Sequence, residues 1–391
     1  MKIFVVDPPL FTLPYDIHFA QALAAAGSSV ELIGRPLRGY ERMPEEKFRF
    51  RPLFYRMTEP GSGWQTSRAA KLLKAVEHGV GLWSLQRLVA AERPDAVHLQ
   101  WLVLPTLERP LLRRIRRRTG LFLTVHNASL AAHSADSMVG GVGAAAQRLG
   151  RRDILGEFDG LIAHTDQTRA HLERAGIPPE QICVIGHPPL TPGELPAVHA
   201  DGTVRILFFG SIKPYKGVDV LVQAALRLLP SRPNCRIDVV GRPFSPLDLE
   251  RQAVTAAGLA DRFGFDLRFI PDEELARYLA AADITVFPYR EIDASGAFAL
   301  AVAAEKPVVA SGLGVFAEQP AASAVSLVPP GDADALAAAL ARLVDDPNER
   351  RVASEKVGGL ADTLDSWTDF ARECTAFYGR RLADRAGRGL L

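Results

Sequence analysis

The chain has 391 residues, 48% of them hydrophobic, which is enough apolar material for two cores. A net charge of +1 argues against bulk electrostatic binding of nucleic acid. Cys183, Cys235 and Cys374 are too scattered for a disulfide framework or a cysteine zinc site, and no apolar run reaches membrane-spanning length. The expectation is a cytoplasmic protein whose start, Met1-Lys-Ile-Phe-Val-Val-Asp7, is a first strand and not a signal peptide.

Strand-like and helix-like runs alternate along the first half: strand 3–6, helix 17–26, strand 29–33, helix 67–91, strand 96–99, helix 107–118 and strand 121–125. A helix around 144–156, strand 160–164, helix 166–175 and strand 182–185 follow. The proline-rich stretch from His187 to Pro196 has the composition of a linker. A second series then runs strand 204–209, helix 217–229, strand 236–240, helix 246–257, strand 266–269, helix 272–281 and strand 284–287. It continues with helix 296–305, strands 308–310 and 326–328, helix 332–345 and a last helix from Trp367. This alternation predicts an α/β protein with two Rossmann-like domains, 1–198 and 199–366, facing each other across a cleft. The last helix, 367–391, is free to pack back on the first domain. The charge is divided unequally, with about five excess positives up to residue 198 and about four excess negatives beyond.

Two turns in the second domain carry the chemistry. Ile206–Phe209 runs into Gly210-Ser211-Ile-Lys213-Pro-Tyr-Lys216-Gly217, a glycine turn with two lysines at the opening of a helix. Ile284–Phe287 runs into Pro288-Tyr-Arg-Glu-Ile-Asp-Ala-Ser295-Gly296, again at a helix start. Free backbone N–H groups, a positive helix end and ammonium groups at one sheet edge suit a diphosphate. The competing readings are a solvated loop lysine and an ordinary serine N-cap. Arg242, in Val240-Gly-Arg-Pro243, ends a neighbouring strand and faces either the nucleotide or solvent.

Those segments, with Lys306-Pro-Val-Val-Ala-Ser311, resemble the donor half of sugar-nucleotide-dependent GT-B glycosyltransferases. The closer likeness is to the branch holding the xanthan-type β-1,4-mannosyltransferases, whose donor halves carry a Pro-Tyr-Lys-Gly turn and a later Pro-Tyr…Ser-Gly. Order and spacing extend the likeness to Val97-His-Leu-Gln-Trp101 and Thr124-Val-His-Asn127. The resemblance implies a nucleotide-sugar donor, GDP-mannose by this branch, and a saccharide or lipid-linked saccharide acceptor. It implies no metal and no further cofactor. Gly210, Ser211, Lys213, Lys216, Arg242, Ser295 and Gly296 are then the donor-binding candidates. Many relatives place an Arg where Ser211 stands, so Lys213 is assigned the missing charge. Many retaining relatives carry a spaced glutamate pair before the Pro-Val-Val strand; here Ile292 and Leu300 occupy those positions. That favours inversion, with Glu291 and Asp293 as possible replacements by a small shift.

An inverting transfer requires a base for the acceptor hydroxyl. Asp16 in Pro14-Tyr-Asp-Ile-His18 is the first candidate for the base and His18 the second; His126, the other catalytic candidate, is expected to contact the donor sugar or diphosphate, with helix capping by Asp16 and a structural role for His126 as the rivals. Tyr15, His18, Gln100, Trp101 and Asn127 are the acceptor-side candidates, while His133, His164 and His187 are weaker ones. Asp332-Ala-Asp334 reads as a helix cap rather than a metal pair. The basic run Leu111–Arg118 and the helix carrying Arg68, Lys71, Lys74, Leu72, Leu73, Val76 and Val80 suit either anionic lipid or water. The rival functions are a retaining UDP-sugar transferase, a sugar-nucleotide epimerase of the same shape, and a silent scaffold.

Overall fold

A computed structural model of the chain describes residues 1–44, 47–58, 68–126, 154–190, 195–197, 201–292 and 294–387, with the side chains of 68–71 left out. The chain divides into two compact units, Met1–Gly186 with Asp365–Leu391, and His187–Leu364. The boundary therefore falls before the proline-rich stretch, which the sequence reading gave to the first domain.

The first unit contains β1 (Lys2–Val6), α1 (Leu13–Ala25), β2 (Ser29–Gly34), β3 (Arg49–Pro52), α2 (Arg68–Glu92), β4 (Ala96–Leu99) and α3 (Pro105–Arg116). It continues with β5 (Gly120–Val125), β6 (Gly160–Ala163), α4 (Asp166–Arg174) and β7 (Ile182–Val184). These strands form one parallel sheet in the order β3-β2-β1-β4-β5-β6-β7. Both faces are covered, so the central strands are apolar throughout rather than alternating. Phe4 and Val6 of β1 enter one core and Ile3 and Val5 the other.

The second unit contains β8 (Val204–Phe209), a single 3₁₀ turn (Pro214–Lys216), α5 (Val218–Leu228), β9 (Cys235–Val240), α6 (Asp248–Ala256), β10 (Phe263–Asp266) and α7 (Asp272–Ala281). It continues with β11 (Ile284–Phe287), α8 (Gly296–Ala303), β12 (Val308–Ser311), α9 (Ala321–Ala324), β13 (Ser326–Val328), α10 (Ala333–Asp345) and α11 (Pro347–Thr363). Its sheet is parallel, in the order β10-β9-β8-β11-β12-β13. The chain then returns to the first unit as α12 (Trp367–Gly387).

Five elements differ from the sequence reading, the short α9 among them because its four residues carry no helical period. β3 is a charged edge strand, Arg-Phe-Arg-Pro, without an apolar run to mark it. β10 lies three residues earlier than expected: Gly264 reads as a breaker, yet a side chain there would strike Asp238 Oδ1 at 2.3 Å. α1 begins at Leu13 because Pro14 in its first turn needs no hydrogen-bond donor. α11 starts behind the Asp346 cap, which accepts from Asn348 N at 2.8 Å, and the sequence reading missed it.

α12 is joined to the first sheet by polar contacts as well as packing. Phe370, Ala371, Cys374, Phe377 and Tyr378 belong to one core of that unit. The Tyr378 hydroxyl meets His98 Nδ1, and His98 Nε2 lies 2.6 Å from Thr124 Oγ1. Burial pushes the pKa of His98 down to about 3, so this ring is a neutral structural link. Arg385 Nη1 donates to Thr119 O at 2.7 Å and to Asp159 Oδ2 at 3.0 Å, and all of these groups are buried. Removing one side of a buried ion pair strands the other. Arg385→Ala should therefore lower the unfolding free energy of the first unit by about 3 kcal/mol, since Asp159 keeps Arg116. Urea titration of the full chain measures this, and a loss below about 1 kcal/mol would mean α12 is held by apolar packing alone.

Candidate active site

In each sheet the strand order reverses at one place, between β1 and β4 in the first and between β8 and β11 in the second. Loops leaving the strands there diverge and open a crevice at the C-terminal edge. The loops after β4, β8 and β11 carry Gln100, Trp101, Gly210, Ser211, Lys213, Lys216 and Ser295, while Tyr15, Asp16 and His18 lie in α1, His126 follows β5 and Arg242 follows β9.

In the second unit, the loop after β8 is pressed against the loop after β9. Gly210 N donates to Val240 O at 3.0 Å, and Ile212 N donates to Arg242 O at 2.8 Å. Gly241 has a φ of +140°, and a Cβ on it would sit 1.9 Å from Gly210 O, so only glycine fits. Gly217, at φ +70°, likewise has Pro288 O at 1.9 Å from its missing Cβ. That contact brings the Pro214–Lys216 turn against the end of β11. Arg290 fastens the junction: its N–H donates to Tyr215 O at 2.7 Å and its guanidinium binds both carboxylate oxygens of Asp219.

Two features suited to an anion converge at Gly210. A Cβ there would lie 3.6 Å from Lys216 Nζ and 3.7 Å from Ala297 Cβ in the first turn of α8. Lys216 is only 7% exposed. Its Nζ lies 5.1 Å from the Tyr289 ring centre, and it has no carboxylate partner among the described residues. Burial first, then the charge of Lys213, bring its pKa down to about 7. Lys213 is half-buried, with its Nζ 5.5 Å from the Phe244 ring, and burial lowers its pKa too. Arg242 is exposed on the same ring at 5.7 Å, and Ser211 is exposed. Ser295 caps α8, its Oγ accepting from Phe298 N at 3.2 Å, and Gly296 opens the helix. The serine cap and the anion site therefore coincide.

In the first unit, Asp7 ends β1, Gln100 and Trp101 follow β4, and His126 follows β5. His126 Nε2 lies 2.9 Å from Gln100 Oε1, so with the amide in this orientation Nε2 carries the hydrogen and Nδ1 is the proton-accepting nitrogen. Trp101 stacks on His126 at 5.0 Å and 16°, and donates its Nε1–H to Thr12 Oγ1 at 3.0 Å. Thr12 N donates to Asp7 Oδ2 at 3.1 Å, while Thr12 Oγ1 lies 3.3 Å from Asp16 Oδ1. The Asp7 and Asp16 carboxyls are both fully buried, and both are bound to Thr12. Burial raises Asp7 to about 6, and burial with the Asp7 charge raises Asp16 well above the usual carboxylate range. The pair therefore holds a proton near neutral pH.

Several expectations are corrected here. Asp16 is not the helix cap, since Thr12 occupies that position. It is also fully withdrawn from solvent and bound to Thr12, so it positions Thr12 and offers no exposed oxygen to an acceptor. Tyr15 is buried among His126, His164, Trp367 and Phe370, which makes it a core residue rather than an acceptor contact. His164 is buried with Nδ1 3.0 Å from Ile185 O, and burial lowers His187 to about 4. His18 is half-buried, stacked on Trp367 at 5.4 Å. Asn127, His133 and Asp293 lie outside the described residues. Asp332 caps α10, accepting from Asp334 N and Ala335 N at 3.0 and 2.9 Å. The sequence reading missed Asp7, the Arg290–Asp219 clamp and Gly241. Only the aspartate at the end of β1 carried a legible signal.

Comparison with known proteins agrees with this arrangement. A family model described as "Glycosyl transferase 4-like domain" matches residues 17–188, and one described as "Glycosyl transferases group 1" matches residues 203–346. The D-inositol 3-phosphate glycosyltransferase of Geodermatophilus obscurus is 34% identical over 194 residues, 43% of this chain and 41% of that protein. The GDP-mannose:glycolipid 4-beta-D-mannosyltransferase of Xanthomonas campestris is 35% identical over 106 residues, 27% of this chain and 30% of that protein. The chain thus spans less than half the length of either relative. Sucrose-phosphate synthase from Thermosynechococcus elongatus shares the fold, with a TM-score of 0.75 over 98% of this chain and 100% of that one, at 21% identity. The fold and both matched domains define a class, the two-domain GT-B proteins. The chain belongs to the GT-B glycosyltransferases.

The acid pair gives a pH prediction with a definite sign. Groups whose folded pKa is raised contribute stability that is complete below the unfolded pKa and lost as pH rises through the folded value. Wild-type stability should therefore fall from about pH 4 upward, through the Asp7 value of about 6. Asn at position 16 keeps a donor to Asp7 without a proton to lose. Asp16→Asn should match wild type at pH 5 and exceed it at pH 8 in urea unfolding. Identical slopes in the two proteins would show that the carboxyls do not share a proton.

Proposed function

We propose that the protein transfers a sugar from a nucleoside-diphosphate donor to a hydroxyl of a saccharide acceptor, with GDP-mannose as donor and inversion at the anomeric carbon. The observation that carries this reading is Lys216, a buried lysine with no carboxylate partner among the described residues, beside the first turn of α8 at the point where the second sheet's order reverses. A lysine in that setting is most stable with an anion against it, and two adjacent cationic features match a diphosphate better than a single carboxylate. The choice of GDP-mannose is supported by the likeness of the Pro214-Tyr-Lys-Gly217 turn to the β-mannosyltransferase branch and by the name of the Xanthomonas relative.

The chemistry is a displacement. The acceptor oxygen bonds to the anomeric carbon as the bond from that carbon to the diphosphate oxygen breaks, and the diphosphate leaves with the electron pair. Lys216, Lys213 and the N–H groups at the start of α8 neutralise the charge that develops there, the task a metal performs in other transferases. His126 takes the acceptor proton on Nδ1, with Gln100 fixing its tautomer and Trp101 its plane. Inversion is supported by Ile292 and Leu300, apolar residues where retaining relatives carry glutamates.

Lys216→Ala should cut donor affinity at least tenfold, about 1.4 kcal/mol, and leave the fold intact; titration calorimetry with GDP-mannose measures it. Unchanged affinity would remove the diphosphate assignment. His126→Ala should lower kcat by a factor of about 10² to 10⁴ while donor affinity stays near wild type. NMR of the first-formed product should show a β-linkage from an α-linked donor, in the presence of EDTA. An α-linkage would place the protein among retaining enzymes.

A further inference from the structure

α2 is apolar on two opposite sides. His78, Leu82, Leu85 and Val89 are fully buried against the sheet. On the far side Leu72, Val76, Val80 and Trp83 are 68%, 57%, 54% and 50% exposed, with Leu73 beside them. Spacings of four, four and three residues put these side chains in one stripe, about 16 Å long at 1.5 Å per residue. An ordinary surface helix carries polar groups there.

The stripe continues onto α3. A Cβ at Gly79 would lie 3.7 Å from Leu107 Cδ2, and Leu107 is itself exposed. Both helices precede strands of one parallel sheet, so they run in the same direction. Arg87 follows Trp83 on the stripe, its guanidinium 4.8 Å from the indole ring. Arg114 lies seven residues beyond Leu107 on the same face of α3, and Arg117 and Arg118 follow it. Arg87, Arg114, Arg117 and Arg118 are exposed or end-of-helix cations with no carboxylate partner among the described residues, unlike Arg109, Arg113 and Arg116, which pair with Glu157 or Asp159. Of the acidic residues on these helices, Glu77 is held by Met57 N and Thr58, Glu92 by Lys2 and Arg51, and Glu108 is buried against His78.

We propose that this face of α2 and α3 docks on an anionic lipid surface, with the leucine, valine and tryptophan side chains in the headgroup–acyl boundary and the arginines on lipid phosphates. An apolar stripe bordered by unpaired arginines and a tryptophan has the composition of an interfacial helix rather than of a protein-binding groove. Among the described residues, no helix is long and apolar enough to cross a membrane. Attachment is therefore peripheral, and it brings lipid-linked acceptors within reach of the first unit.

Co-sedimentation with phosphatidylcholine vesicles containing about 30% phosphatidylglycerol tests this, against phosphatidylcholine alone. The wild-type chain should bind the anionic vesicles at least about tenfold better, and weaken as salt rises. Val76→Asp with Val80→Asp, and separately Arg114→Glu with Arg117→Glu, should each cost about tenfold or more in vesicle binding. Both variants should retain the wild-type melting curve and donor affinity, which separates failure of docking from failure of the donor reading. Wild-type protein that stays in the supernatant, or binding unaffected by the valine substitutions, would overturn the proposal. So would a dimer in sedimentation velocity that the same two aspartates dissolve, because the stripe would then be a self-association face.

Discussion

A lysine held under a tyrosine ring with no carboxylate partner among the described residues is costly, and the second unit is arranged around that cost. Burial alone would favour neutral Lys216, and its lowered pKa reflects this. Two glycines and an arginine enforce the burial. Gly217 lets the turn lie on Pro288, Gly241 lets the next loop lie on Gly210, and Arg290 ties the turn to the end of β11. The result is a cation fixed beside a helix N-terminus before any ligand arrives. Preorganised positive charge of this kind stabilises a departing diphosphate without reorganisation during the reaction.

The first unit solves an opposite problem. Two carboxyls, Asp7 and Asp16, are buried together, and sharing a proton removes the repulsion. Their product is a fixed Thr12, which receives the Trp101 indole N–H, and Trp101 in turn lies flat on His126. The imidazole is thus oriented by a chain of contacts that starts at Asp7, six residues before α1. Electrostatics in this unit serves position, whereas in the second it serves ligand charge.

The fold was legible because both sheets are parallel and buried on both faces, which writes apolar runs such as Ile3–Val6 and Ile206–Phe209 directly into the sequence. β3 escaped because an edge strand needs no apolar face, and Gly264 in β10 disguised a strand as a turn. The lysine–glycine turn and the serine N-cap of α8 were readable as local structure, since glycine and N-cap chemistry are local. Asp16 was misread because its environment is not local. Asp7 lies nine residues earlier and Trp101 is far away in the chain, and no spacing rule links them. Tyr15 was misread for a related reason: the rings that bury it come from β5, β6 and α12.

The central claim is that Lys216 is kept uncompensated for a diphosphate. Nucleotide binding should then raise its pKa from about 7 and draw a proton from solvent at alkaline pH. Calorimetric titration of GDP at pH 8 in two buffers of different ionisation enthalpy counts that proton. The account predicts an uptake approaching one proton per GDP that disappears in Lys216→Met. Equal heats in the two buffers for the wild-type protein, with GDP still bound, would contradict it.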